Sequence, residues 1–320
     1  MPGLQELARK KPAFAAGHRM CAGCPVPIVT RMLTQVTDYE IVAGNATGCL
    51  EVASSIFPYS AWNIPWIHTA FENAGATMSG VEAMYKSLKR RGKIDQKIKF
   101  VAFGGDGGTY DIGLQSLSGA MERGHDLVYI CYDNGAYMNT GIQRSSATPF
   151  GASTTTSPAG IVSGGKPQFP KDLTSIMVSH GIDYVAQASI HNPIDLADKM
   201  KKAIELDGPA FMNVLCPCVP GWRIEADMAV EAARVAVATR YWPLFEVEKG
   251  VTKINTKPME RFPVTEWLFM QGRFKHLKEP RWRKSLEMIQ EMVDRRWDGL
   301  LAREASGARQ RGTESKGRQE

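Results

Sequence analysis

From about Lys97 onward, the hydrophobic positions alternate between unbroken runs and helical spacing. "KIKFVAFGG" ends in an apolar run and predicts a strand. "DIGLQSLSGAMERG" puts Leu117, Ala120 and Met121 on one side, with Gly124 as a stop, and predicts a helix. "DLVYICYDN" is continuously apolar, as a strand covered on both faces of a parallel sheet should be. "NPIDLADKMKKAIEL" returns to helical spacing through Leu196, Ala197, Met200, Ala203 and Ile204, and "PAFMNVLCPC" is again a buried strand. Strand–helix–strand repetition predicts an α/β fold, a doubly wound and mostly parallel sheet with helices on both faces.

The pattern breaks between Gln143 and Pro170, in a stretch rich in Ser, Thr, Gly and Pro. A segment of that length without its own periodicity inside a compact domain is usually functional or disordered. Near the other end, Trp282, Leu286, Ile289, Val293, Trp297 and Leu300 form the apolar stripe of a long helix with a charged outer face. The final stretch, from about Glu304, lacks apolar content and reads as a disordered tail. The expected organisation is a sheet domain over 1–244, a C-terminal helical extension over 245–303 packing on that domain or a partner, and a disordered tail over 304–320.

Composition narrows the function classes. The 320 residues are 43% hydrophobic and 22% charged, which is ordinary for a globular protein and sufficient for a large core. No apolar run reaches the roughly 18–20 residues needed to span a bilayer. The first twenty residues lack the apolar stretch of a secretory leader, so no membrane association and a cytoplasmic location are expected. The net charge of +6 comes without a compact basic block, and no zinc-finger histidine pair follows the first cysteines, so nucleic acid is not an expected partner. Six cysteines, at 21, 24, 49, 131, 216 and 218, are too few for a disulfide scaffold at this length. Cys21 and Cys24 form a CxxC pair, which in a reducing compartment reads as a metal site or a redox dithiol.

The sharpest chemical signal is "FGGDGGTYD", between the first predicted strand and helix. Ligands of open α/β sheets bind at the carboxyl ends of strands, glycines let a backbone approach them, and a helix N-terminus favours phosphate. A dinucleotide fold keeps its acid about 20 residues later, whereas Asp106 lies inside the turn. An acid in that place points to a divalent ion bridging to a diphosphate, and Mg²⁺ takes hard oxygen ligands of this kind. Asn134, in "YDNGAYMNTG", lies 28 positions later, one strand–helix–strand unit away. Its amide oxygen and the carbonyl of Ala136 would supply further ligands. The competing reading of "DNG" alone is an Asx-type turn.

These motifs, together with "PYSAWNIPWIHTAFENAGAT", closely resemble the thiamine diphosphate-binding β subunits of the 2-oxoacid:ferredoxin oxidoreductases, pyruvate:ferredoxin oxidoreductase among them. The resemblance runs from about Gly17 to Trp222 and more weakly to about Pro280. It implies that Asp106, Asn134 and the Ala136 carbonyl hold Mg²⁺, that Gly105, Gly107 and Gly108 lie along the diphosphate, and that Phe71 touches the cofactor rings. Asn139 would face the reacting centre as the catalytic residue of this chain. The alternative for Asn139 is a turn residue capping a following helix, for Phe71 a core position, and His68 reads as a structural histidine.

The same resemblance implies a [4Fe–4S] cluster held by Cys21, Cys24, Cys49 in "ATGCLE" and Cys218 in "LCPCVPGW", with Cys49 beside the thiamine. Cys216, two residues before Cys218 on the same side of the strand, is the rival fourth ligand, and Cys131 reads as a small buried hydrophobe. Thiolates alone suit zinc equally well. Oxidative decarboxylation on thiamine, however, leaves electrons that a cluster carries and zinc does not.

The implied activity is oxidative decarboxylation of pyruvate with coenzyme A and ferredoxin. An α subunit would provide the glutamate that activates the aminopyrimidine, and γ and δ subunits or fused equivalents would complete the complex. Gly135, where pyruvate members often carry Glu, and "VPGW", where "PTGW" is common, leave oxalate, branched-chain, aryl and 2-oxoglutarate substrates open. A non-oxidative thiamine enzyme with structural zinc, or a subunit that only binds a partner, are the readings from other classes.

Overall fold

The computed structural model describes residues 3–316. Its centre is one eight-stranded sheet: β1 Glu40–Ala46, β2 Trp66–Thr69, β3 Ile98–Gly105, β4 Leu127–Asp133, β5 Tyr184–Ser189, β6 Ala210–Leu215, β7 Phe245–Glu248 and β8 Val251–Ile254. The order across the sheet is β2-β1-β3-β4-β6-β5-β7-β8. The first six of these are parallel, and β7 and β8 add an antiparallel edge beside β5.

The helices, in chain order, are α1 Leu4–Arg9, α2 Val26–Met32, α3 Cys49–Ser54, α4 Ala74–Arg90, α5 Leu114–Glu122, α6 Leu173–Val178, α7 Pro193–Glu205, α8 Val219–Trp222, α9 Ala229–Ala238, α10 Val264–Phe269 and α11 Arg283–Lys316. One face of the sheet packs against α2, α7 and α9 through Val29, Met200 and Ala236. The other packs against α4, α5 and α6 through Met78, Leu117 and Met177. This is the doubly wound architecture that the sequence predicts. Every residue of β4, β5 and β6 is buried, which is why those strands carry little alternation. Among the described residues, no helix is long and apolar enough to cross a membrane.

The predicted helix after the glycine-rich turn starts later than its text suggests. Residues Gly107–Ile112 form a π-helical turn first, and α5 follows at Leu114. Wide turns of this type occur often at functional sites. Gly124, at φ +67°, ends the helix as expected. Asn192 caps α7 by accepting from the Asp195 amide at 3.1 Å.

The C-terminal segment departs from expectation in two ways. Its first residues are not helical but form β7 and β8, which extend the main sheet. The long helix also continues past residue 303, where a disordered tail is predicted. Glu304 accepts from the Ile254 amide at 2.8 Å and pairs with Lys257 at 2.6 Å, while Gly307 lies against Val251. The helix thus gains from a strand edge what its polar sequence lacks in apolar area. Residues 317–320 of the predicted tail lie outside the described residues.

Candidate active site

The carboxyl ends of β1, β3, β4 and β6 meet on one side of the sheet. Register places Gly105 beside Tyr132, so the turns after β3 and β4 are neighbours. Asp106 stands in the first turn with 0% exposure. It accepts from the Asn134 amide at 3.2 Å and from the Ser145 hydroxyl at 2.5 Å. Burial, and next the charge of Asp133, push its carboxyl well above the usual carboxylate range. Asp133 accepts from the Tyr110 hydroxyl at 2.7 Å and the Gly135 amide at 3.0 Å, and burial pushes it up to about 6.

Asn134 decides what this group of oxygens suits. Its amide oxygen lies 2.9 Å from Asp106 Oδ1 and 2.9 Å from the Ala136 carbonyl. With the amide oxygen on this side, three oxygens lie together. Turning the amide would make two ordinary hydrogen bonds. A small cation between the oxygens would satisfy them as they stand. Neighbouring ligands in an octahedral Mg²⁺ shell, at 2.0–2.1 Å from the ion, are about 2.9 Å apart. The donor set, the spacing and the reluctant buried carboxylate all fit such an ion.

In front of this triad is a pocket lined by Gly105, Gly107, Gly108, Asn134, Ala136, Asn139, Cys49 and Phe71, with Thr47, Gly48, Tyr132 and Tyr137 completing it. It therefore brings together every residue expected to touch the cofactor except Asp106, which sits behind it. At Gly107 a Cβ would lie 2.5 Å from the Tyr137 ring, and at Gly108 3.2 Å from the Phe71 carbonyl. The glycines are thus needed for close packing as well as for ligand approach. Phe71 is half-buried, tilted against Tyr137 at 5.6 Å. Asn139 is exposed in an open turn, and no helix follows it to be capped. His68 stands back from the pocket, 2.9 Å from the hydroxyl of Thr47 and 3.9 Å from Glu51.

The cysteines border an adjoining cavity. Cys21, Cys24, Cys49, Cys216 and Cys218 all line it, together with Asn134 and Asn139. Cys21 and Cys24 belong to a tight turn closed by Cys24 N donating to Cys21 O at 3.0 Å. Cys49 opens α3 directly after β1, and Cys218 caps α8, its Sγ accepting from the Gly221 amide at 3.4 Å. Cys131 is fully buried among residues of the opposite face and does not reach the cavity.

Burial pushes Cys24 and Cys49 up to about 12 and Cys218 to about 11, and negative charge on the other cysteines adds to each. Cys24 and Cys49 each feel Cys218, whereas Cys216 feels Cys24 and Asp133. Thiols held so high lose their protons to a bound metal rather than to solvent. Among the described residues, no three His, Cys, Asp or Glu side chains converge tightly enough to hold a single ion. A zinc site would need its sulfurs about 3.8 Å apart around one centre. The cysteines instead border one common cavity.

Several site residues carry no signal of their own in the sequence. Ser145, Ser146, which bonds Asp111, and buried Lys166, which donates to the Ser146 and Thr148 carbonyls, all come from the Ser/Thr-rich stretch. That loop reaches Asp106 of the oxygen triad through Ser145. Tyr132 lines the thiamine pocket and is otherwise buried.

A family model described as "Thiamine pyrophosphate enzyme, C-terminal TPP binding domain" matches residues 46–214. The pyruvate synthase subunit PorB of Thermotoga maritima is 52% identical over 306 residues, covering 94% of each chain. The chain belongs to the PorB family. Its match to the PorB subunit of Methanocaldococcus jannaschii is 54% over 88% of this chain and 94% of that one. The ketoisovalerate oxidoreductase subunit VorB of Pyrococcus abyssi is 43% identical, covering 90% of this chain and 92% of the other. Family membership makes the chain a subunit of an oxidoreductase acting on 2-oxoacids. A solved 2-oxoglutarate:ferredoxin oxidoreductase from Magnetococcus marinus shares the fold, with a TM-score of 0.53 at 24% identity, covering 71% of this chain and 81% of that one. Cys21, Cys24 and Cys218 fall outside the span of the family model, which therefore bears on the thiamine pocket and not on the cysteine cavity.

Proposed function

We propose that this chain is the β subunit of a coenzyme A-dependent pyruvate:ferredoxin oxidoreductase, holding thiamine diphosphate, Mg²⁺ and one [4Fe–4S] cluster. The observation that carries the reading is the shared wall of the two cavities. Cys49, Asn134 and Asn139 line both. Electrons released in one would have only a side chain to pass.

Asp106, Asn134 and the Ala136 carbonyl hold the Mg²⁺, and the backbone of Gly105, Gly107 and Gly108 borders the diphosphate. When bound, thiamine diphosphate supplies the nucleophilic carbon and electron sink on which a 2-oxoacid loses CO₂. Asn139 presents its amide to the substrate carboxylate. Phe71 and Tyr137 wall the pocket and restrict water. Cys21, Cys24, Cys49 and Cys218 ligate the cluster, with Cys216 packed behind Cys218. The aminopyrimidine-activating glutamate comes from an α subunit, γ and δ subunits or their fused equivalents complete the assembly, and ferredoxin takes the electrons.

A second substrate reading rests on the VorB relative, which is nearly as similar as the PorB chains. Gly135, where pyruvate members often carry Glu, faces away from the thiamine pocket and does not decide between the two acids. Purification of the assembled complex without oxygen, followed by iron and zinc analysis and assays with pyruvate and 2-oxoisovalerate, tests both points. About four irons per chain and preference for pyruvate are expected. One zinc per chain would remove the electron-transfer role. Preference for 2-oxoisovalerate would move the chain to the branched-chain substrate.

A further inference from the structure

Behind the Asp133–Ala136 turn, away from the thiamine pocket, lies a second cavity between the ends of β4, β5 and β6 and the C-terminal segment. Its innermost group is Arg273, only 1% exposed. The guanidinium lies over the ring of Trp222 at 4.3 Å, and its Nε donates to Gln271 Oε1 at 2.8 Å. Nη1 and Nη2 have no partner at all. No carboxylate lies within ion-pair distance of Arg273 among the described residues. Asp133 shares the cavity, but its oxygens already accept from Tyr110 and Gly135.

An unpaired, buried guanidinium is costly, because both its charge and its N–H groups have left water. Here it is held in one orientation by stacking and by Gln271, and it lines the inner wall of the cavity with both terminal nitrogens shielded from solvent. Gly135 keeps that space open: it has φ +74°, and an added Cβ would stand 3.0 Å from Nη1. Toward the surface the cavity wall adds Lys171, Arg240, Arg296 and Arg303 against a single further carboxylate, Asp172. A cationic channel that ends in an unpaired fork matches the geometry and charge of an oxyanion.

We propose that this cavity binds a small oxyanion, a carboxylate or phosphate group, in a two-pronged contact with Nη1 and Nη2 of Arg273. The site does not depend on thiamine or a cluster. It adjoins the proposed metal site through one turn, with Asn134 and Ala136 on the pocket side and Asp133 and Gly135 on the cavity side. An anion in the fork would brace that turn from behind.

The test is calorimetric titration of the full chain with inorganic phosphate and, separately, with acetate, at constant ionic strength. Each titration is run with chelator and again with thiamine diphosphate and Mg²⁺ present. Binding in the diphosphate pocket would vanish in the second condition, and the proposed site should persist at one per chain. Preference for phosphate or for acetate identifies the class. Arg273→Gln should weaken binding at least about tenfold, the loss expected for charge-assisted hydrogen bonds. Should that variant fail to fold, Gly135→Asp and Arg303→Gln decide. The first places a carboxylate at the fork, in a backbone conformation Asp tolerates, and should abolish binding. The second thins the channel charge at an exposed position and should weaken binding a few-fold. Absence of saturable binding by either anion, or binding unaffected by Gly135→Asp, would overturn the proposal in favour of a water-filled cavity.

Discussion

The oxygen triad and the cysteine ring border the same two asparagines, yet they are built differently. The triad comes from two adjacent parallel strands whose register fixes the turns, and it brings the Asn134 amide within 2.9 Å of both Asp106 and the Ala136 carbonyl. The ring is drawn from three distant places, an exposed N-terminal turn, the start of α3 and the cap of α8. The triad is preorganised by the sheet. The ring depends on loops, and on a centre that binds them together. A site made by strand register should fail locally when one ligand is lost, whereas a site made from loops should fail as a unit.

The strongest test of that contrast is Asp106→Ala. It should abolish retention of thiamine diphosphate with Mg²⁺, because no neutral side chain replaces a carboxylate on a divalent ion. Iron content should stay at the level of the unchanged chain, and circular dichroism should show an intact fold. Cofactor retained at one per chain would remove Asp106 from the site; loss of iron as well would mean that the two sites form together.

Next in size is the cysteine series. Ala at any one of Cys21, Cys24, Cys49 or Cys218 should bleach the anaerobic protein and stop ferredoxin reduction by the assembled complex, with thiamine retained. Cys216→Ala and Cys131→Ala should keep the colour. Bleaching by Cys216→Ala and not by Cys218→Ala would exchange the fourth ligand.

Ser145→Ala removes the 2.5 Å bond to Asp106 without touching the pocket. Hydrogen bonds to charged groups are worth about 1.5–3 kcal/mol, so thiamine diphosphate affinity with Mg²⁺ should fall by about ten- to a hundredfold. Affinity within twofold of the unchanged chain would make the bond incidental.

The remaining test concerns pH and stability rather than cofactor binding. Asp133 is pushed up to about 6 in the folded chain. A carboxyl raised on folding contributes stability fully below its unfolded value, near 3.9, and loses it as pH rises through the folded value. The metal-free chain should therefore lose up to about 3 kcal/mol relative to Asp133→Asn between pH 4 and 7. Burial raises Asp106 in the same sense, while His191, drawn down to about 4, opposes it on the acid side. The raised thiols of Cys24, Cys49 and Cys218 stay protonated in this window and add nothing. Melting curves of the two chains with equal pH dependence would assign the effect elsewhere.

The legibility of the sequence follows the same divide. Strands β3, β4 and β6 are plain because burial on both faces forces unbroken apolar runs. Asp106 and Asn134 are plain because one strand–helix–strand unit fixes their spacing. Strand β1 is obscured by Gly44 and Asn45, and the packing explains the first: a Cβ at Gly44 would lie 2.3 Å from the Met78 sulfur. Asn45 is wholly buried and bonds the Ala46 carbonyl at 2.9 Å, a polar side chain absorbed within the sheet. Ser145 and Lys166 were hidden because a Ser/Thr-rich loop has no period to place them. Arg273 was hidden because its environment comes from residues more than a hundred positions away, such as Asp133 and Gly135. The helical course beyond residue 303 depends on the edge of β8, which no local pattern announces.

The two 2.9 Å edges of the oxygen triad also bear on which ion the proposed site would accept. Ca²⁺, with ligands at 2.3–2.6 Å, would spread octahedral neighbours to about 3.3–3.7 Å and prefers six to eight of them. Widening the triad that far would draw the Asn134 turn away from Asp106, which accepts from the Asn134 backbone amide at 3.2 Å. Under the proposed function, the strand register would thus bias the site toward the smaller ion, without any side chain dedicated to exclusion.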